Sequence, residues 1–169
     1  MFTGIVTTTG IVQEALPAGG DLRLLIQAGS LNLQSCRQGD SISVAGACLK
    51  MVHLGVGSFG ADVSAETLAK TTLGTLRAGQ RVNLELAMTL ADRLGGHLVT
   101  GHVDGVARLV SRLADGRAER FVFELPSGLP KYLAQKGSVC VDGVSLTVNE
   151  AAGNTFSVCL IPHTLHSTT

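Results

Sequence analysis

Residues 39–52 read GDSISVAGACLKMV and residues 135–150 read QKGSVCVDGVSLTVNE. In both, apolar side chains alternate with small or polar ones around a central glycine, Gly46 in one and Gly143 in the other. Alternation with period two marks a half-buried strand, and an interior glycine marks a bend or a close backbone neighbour. The two stretches superpose under one shift of 97 residues, which sets Val44 on Val141, Gly46 on Gly143 and Leu49 on Leu146.

Working outward, the same shift sets Gly4 on Gly101, Val6 on Val103 and Phe59 on Phe156. It also sets Thr67-Leu68 on Thr164-Leu165 and Thr71-Thr72 on Thr168-Thr169. A constant offset over this length is an internal duplication. The first copy spans 1–95 and the second 98–169. Residues 73–86 of the first copy, LGTLRAGQRVNLEL, have no counterpart within the 169 residues.

Each copy reads as about six short strands joined by glycine-rich turns. SFGADV and NTFSVCL follow the quoted stretches, and RAGQRVNLELA supplies a turn and a strand in the first copy. Short helical stretches are predicted at 31–35, 66–72 and 129–135, the last with Pro130 suited to a first turn. Residues 86–94 fit a strand tail or a short helix. Short strands in this number favour a closed antiparallel barrel, which removes exposed sheet edges. The fold expected is all-β, with tandem six-stranded Greek-key barrels. The second barrel is expected to be incomplete, leaving unpaired backbone and an apolar edge.

Composition supports an ordinary packed protein. Hydrophobic residues make up 45% of the chain, with five Phe, one Tyr and no Trp, so the core must be mostly aliphatic. Thirteen Lys plus Arg balance thirteen Asp plus Glu, which gives no electropositive footprint for nucleic acid. No apolar run is long enough to span a bilayer, and no signal peptide is evident. The expectation is a cytoplasmic protein with neither nucleic-acid nor membrane partners. Cys36, Cys48, Cys140 and Cys159 show no CxxC spacing, so neither disulfides nor a thiolate zinc site is predicted.

Chemistry-bearing residues gather in a few places. GGHLVTGHVDG at 95–105 holds His97 and His102 without the converging ligands of a metal site. His102 stands where the first copy has Ile5, an asymmetry that a structural duplication does not need; it also reads as a loop histidine. Cys48 matches Ser145 and Lys50 matches Thr147, each pair two residues apart and so on one strand face. They read either as the lining of a ligand pocket in each barrel or as small buried side chains. No acidic partner for a catalytic triad is evident. Glu66 matches His163, and Asp62, Ser64, Glu66 and Thr67 lie along a strand end where they offer hydrogen bonds to a polyhydroxy ligand. Thr164 and the amides near Ile161 occupy the equivalent place. No nucleotide-binding glycine motif is present.

The stretches MFTGIV, GACL, ETLAKTTLGTLRAGQRVNLE, GGHLVTGHVDG, VDGVSLTVNE and IPHTLHSTT together closely resemble the alpha-chain type of riboflavin synthase, over essentially the whole chain. The resemblance implies dismutation of two 6,7-dimethyl-8-ribityllumazine molecules to riboflavin and 5-amino-6-(ribitylamino)pyrimidine-2,4-dione, with no cofactor or metal. It implies a homotrimer with active sites between barrels of neighbouring subunits, and association with lumazine synthase. Carried over by position, His102 is the proton-transfer candidate. Ser41 and Cys48 fall in the N-terminal site, and Ser145 and Thr147 in the C-terminal one. Gly4, Ile5, Lys50, Asp62, Ser64, Glu66, Thr67, Lys136, Ile161 and Thr164 are the substrate contacts.

Two departures accompany the resemblance. Lys50 replaces the usual Thr, and the family's aspartate near position 184 falls outside the 169 residues, so that little or no synthase activity is expected of a chain ending at Thr169. The alternative implied is a noncatalytic lumazine or flavin carrier of antenna type, built on a similar double barrel.

Overall fold

The computed structural model describes residues 1–169. Strands β1 (Thr8–Ala18), β2 (Asp21–Gln27), β3 (Ser41–Val44), β4 (Ala47–Gly55), β5 (Ser58–Val63) and β6 (Arg81–Leu86) close into an antiparallel barrel in the order β1-β2-β5-β4-β3-β6. β2 pairs with β5 rather than β3, which is the Greek-key step. β6 completes the ring, with Leu84 opposite both Thr8 of β1 and Val44 of β3. Helix α1 (Ala65–Lys70) follows β5, its N-terminus capped by the Ser64 side chain accepting from the Thr67 amide.

The second half repeats this plan. It contains β7 (Arg108–Asp115), β8 (Ala118–Glu124), β9 (Ser138–Val141), β10 (Val144–Thr147), β11 (Glu150–Ala152), β12 (Thr155–Leu160) and α2 (Pro162–Ser167). β8, β9, β12 and α2 start and end at the offset of 97 from β2, β3, β5 and α1. The counterpart of β4 is split into β10 and β11. Strand neighbours are conserved between halves, in the orders β11-β12-β8-β7 and β10-β9, but no strand joins β7 to β9 as β6 joins β1 to β3. The all-β fold and the incomplete second barrel are as expected.

Packing follows closure. The first barrel encloses a fully buried aliphatic core that includes Leu24, Ile26, Ile42, Met51, Phe59 and Leu84. In the second half only Val148, Phe156 and Val158 form a buried cluster. Phe121, Phe123 and Phe156 stack beside it with centroids 6.2 and 5.3 Å apart. Leu109, Val110 and Leu113 of the free edge strand β7 are about half exposed.

Three local expectations fail for one reason. Residues 31–35 are irregular apart from a turn at 34–35, 129–135 give only a single 3-10 turn at Pro130–Tyr132, and 86–94 leave the strand at Leu86 for an irregular loop. Each is too short to offset helix nucleation without a packed apolar stripe. The Asn32 and Asp92 side chains take local amides there, at Gln34 and Thr89. No helix is long and apolar enough to cross a membrane.

The barrel interior leaves no room for a ligand in the first half. Inside is solid core. The polar alternates Ser41, Ser43, Cys48 and Lys50 of β3–β4, with Glu85 of β6, share the outer wall, where Ser43 lies opposite both Cys48 and Glu85. Ser43 and Glu85 are nonetheless buried, at 2% and 7% exposure, because the second half covers that wall.

Candidate functional site

Contacts between the halves come in pairs that exchange under the 97-residue shift. Phe2 and Val99 form a two-way backbone bridge, at 2.8 and 3.0 Å. The Ser145 amide donates to Gly4 O at 2.7 Å, and the Cys48 amide donates to Gly101 O at 2.8 Å. Gly46 and Gly143 meet backbone to backbone. The halves are therefore related by an approximate twofold axis, and the segment ahead of each half's first strand lies on the other half's hairpin.

Glycine is required at these crossings. Gly4 and Gly101 have φ of +74° and +78°, and a Cβ on either would sit 2.7 Å from the Cβ of Ser145 or Cys48. The sequence places glycine where two backbones must touch above a hydroxyl or thiol side chain.

The first site is a cavity of about 260 Å³ between β4, α1 and residues 101–103. Cys48, Glu66, Thr67 and Lys70 line one side and Gly101 and His102 the other. The second half bears a larger open groove of about 640 Å³, lined by Val139, Val141, Phe123 and Phe156 and bordered by His97 and His102. His102 thus faces both hollows, and its ring is exposed.

Above Ser145 the structure supplies a partner that sequence reading missed. His97 Nδ1 lies 2.6 Å from Ser145 Oγ, and the His97 amide donates to Thr3 O at 3.0 Å. Burial alone holds the His97 imidazole below its usual pKa, which favours the neutral ring. A neutral ring presents one nitrogen as acceptor, so it can take the hydroxyl hydrogen of Ser145. The shift of 97 leaves His97 without a counterpart, so comparing the copies drew attention to His102 alone. Nearby, burial is the main cause that pushes the Cys140 thiol up to about 11.

The other expected site residues scatter around these centres. Lys50 donates to Ser41 Oγ at 3.0 Å, beside Cys48 along the outer wall. Asp62 is held in a two-pronged ion pair by Arg23, which keeps its carboxyl below the usual range. Ser64 is the α1 cap, hydrogen-bonded to Thr67. Thr147 pairs with Ser138 at the outer end of the β9–β10 hairpin. Lys136 is exposed with φ of 66°, its amide donating to Val148 O. Ile161 caps α2 and is 57% exposed, Thr164 lies within α2, and Ile5 is exposed next to Gly4.

Comparison with known proteins agrees with this arrangement. The lumazine binding domain family matches residues 3–87 and 100–169, one match per half. Riboflavin synthase of Photobacterium phosphoreum is 44% identical over 169 residues, covering 100% of this chain and 78% of that protein. Riboflavin synthase of Mycobacterium tuberculosis is 45% identical over 175 residues, covering 100% of this chain and 86% of that protein. Among solved structures, LumP complexed with riboflavin superposes with a TM-score of 0.90 at 25% identity, covering 100% of this chain and 91% of the other. LumP complexed with 6,7-dimethyl-8-(1'-D-ribityl) lumazine gives 0.88 at 23%, covering 99% and 90%. With both halves matching the lumazine binding domain and relatives above 40% identity along its whole length, the chain belongs to the riboflavin synthase family of lumazine-binding barrel proteins.

Proposed function

We propose that this protein is a riboflavin synthase, with residues 1–95 and 98–169 as two modules that each hold one 6,7-dimethyl-8-ribityllumazine. A four-carbon unit passes from one ring system to the other, giving riboflavin and the ribitylamino-pyrimidinedione. Every atom of the two substrates is found in the two products, so no oxidant or cofactor enters. The observation that carries the reading is the His97–Ser145 pair, 2.6 Å apart, set by Gly4 at the place where the other half has Cys48 under Gly101.

The lumazine C7 methyl group is acidic because the conjugated ring delocalises the resulting anion. Alignment of the rings and proton movement are then the main tasks. Ser145 Oγ takes the methyl proton as His97 accepts the hydroxyl hydrogen. Cys48 and the His102 ring serve the second substrate across the twofold axis. Lys70, Glu66 and Thr67 offer hydrogen bonds to its ribityl chain. The assembly proposed is a homotrimer in the cytoplasm, with lumazine synthase as an associated protein.

The test is incubation of the purified protein with 6,7-dimethyl-8-ribityllumazine while riboflavin absorbance is followed. Appearance of riboflavin supports the synthase, and its absence from folded, ligand-binding protein of verified full length removes it. The likeness to LumP favours a second reading as a carrier, distinguished by tight binding of riboflavin without turnover.

A further inference from the structure

We infer that Glu85 is the positioning residue of the His97–Ser145 pair, although it belongs to the other half of the molecule and touches neither side chain. Glu85 is a buried carboxylate on the outer wall of the first barrel, in β6. One oxygen accepts from the Thr3 amide and the Thr3 hydroxyl, both at 2.6 Å, and the other accepts from the Gly4 amide at 3.0 Å. The two residues whose amides it holds are those whose carbonyls hold the pair, and the Thr3–Gly4 peptide unit does both at once, its N–H on Glu85 and its C=O on the His97 amide. Thr3 O receives the His97 amide and Gly4 O receives the Ser145 amide. With the 2.6 Å His97–Ser145 contact this closes a circuit from one carboxylate through two adjacent residues to imidazole and hydroxyl.

The physical reason for a carboxylate is the direction of its bonds. Three donors converge on two oxygens, and an ionised carboxylate is the side chain that accepts at both without offering a donor of its own. Glutamine in its place presents an N–H group to the Gly4 N–H, so the Gly4 bond is lost while Thr3 keeps an acceptor. The Thr3 and Gly4 amides have no other acceptor, so Glu85 alone satisfies them. Across the twofold axis the Cys48 amide is bonded to Gly101 O in the same way, without Glu85. Cys48 is therefore the internal control.

The inference rests on the proposed function only for the use made of the pair, and the main measurement needs neither substrate nor turnover. Amide hydrogen exchange and the His97 ring nitrogen shifts are read by NMR in the unliganded protein, for wild type and Glu85→Gln. The expected result is a fall in Ser145 amide protection of tenfold or more and a change from one His97 tautomer to a mixture. Cys48 and the core strand residues Ile42 and Leu84 should keep their protection. An unchanged His97 signal overturns the inference. An equal loss of protection at Cys48, Ile42 and Ser145 also overturns it, because Glu85 would then support the fold in general. If Glu85→Gln does not fold, Thr3→Val decides, since it removes the hydroxyl bond to Glu85, together with the Ile5 amide's bond to that hydroxyl, and leaves both backbone bonds to Glu85 in place. Selective loss at Ser145 and His97 supports the role and no selective loss refutes it. In a turnover assay of an active preparation, Glu85→Gln should lower kcat at least tenfold with KM within twofold.

Discussion

At the scale of single residues, two positions carry consequences that their type alone does not announce. Gly101 sits at φ +78° with the Cys48 side chain beneath it. A methyl group at Gly101 meets both a disfavoured backbone region and a 2.7 Å contact. Gly101→Ala should cost about 1–3 kcal/mol of stability by urea titration, with Gly79→Ala a control for φ alone because no atom lies near it. His97 carries a pH signature. Burial lowers its pKa, so between that value and the ordinary one the unfolded chain binds the proton more readily than the folded chain. Stability should therefore fall as pH drops through about 6.5. His97→Gln should remove part of this slope; equal slopes in both proteins would show that other groups carry it. Sequence reading reached Cys48, Ser145 and His102, because each differs from or matches a counterpart in the other copy. It missed His97, whose role depends on Ser145, which lies 48 residues away along the chain.

At the scale of elements, the repeat determines far more than local propensity does. β8, β9, β12 and α2 fall at the offset of 97 from their counterparts, and the hairpin registers agree: Ser43 opposite Cys48, Cys140 opposite Ser145. Propensity failed where segments were short, as at 31–35 and 129–135, since a single turn of helix needs a tertiary partner. Helix α1 shows what such a partner looks like. Ser64 caps it, and the Asp21 side chain accepts from the Ala65 amide. Ser64→Ala should lower stability by about 1 kcal/mol while Ser64→Asp, another good cap, retains it. If both variants bind riboflavin as wild type does, the Ser64 hydroxyl acts as a cap and its place among the ligand contacts is lost. Neither alternation nor composition distinguished an outward strand face that meets solvent from one that meets a second module. For that reason Cys48 and Lys50 are legible as one strand face, while Ser43, Glu85 and the interface they form are not.

At the scale of the molecule, the two halves share a plan and differ in closure. In the first, every strand has two neighbours and the core is sealed; in the second, β7 and β9 each have one. Backbone groups without a strand partner exchange with water, so local stability should be uneven. Hydrogen exchange is expected to be slowest in β3–β6 around Ile42, Met51 and Leu84. It should be at least a hundredfold faster on the free side of β7 and β9. Uniform protection across both halves would mean that another chain covers these edges in solution. Leu109, Val110 and Leu113 of β7 are exposed as well.

The sequence by itself determined the duplication, the strand pattern, the glycines at Gly46 and Gly143, and the family, because each is written in local alternation or in a constant offset. Only the tertiary structure decided where the chemistry sits. It set the first hollow on the outer wall of the closed barrel, joined His97 to Ser145, and placed Glu85 of one half beneath the backbone that holds the other. Alternation tells which side chains share a face of a strand. The contact that buries a face depends on how two distant pieces of chain dock, and no local pattern encodes that.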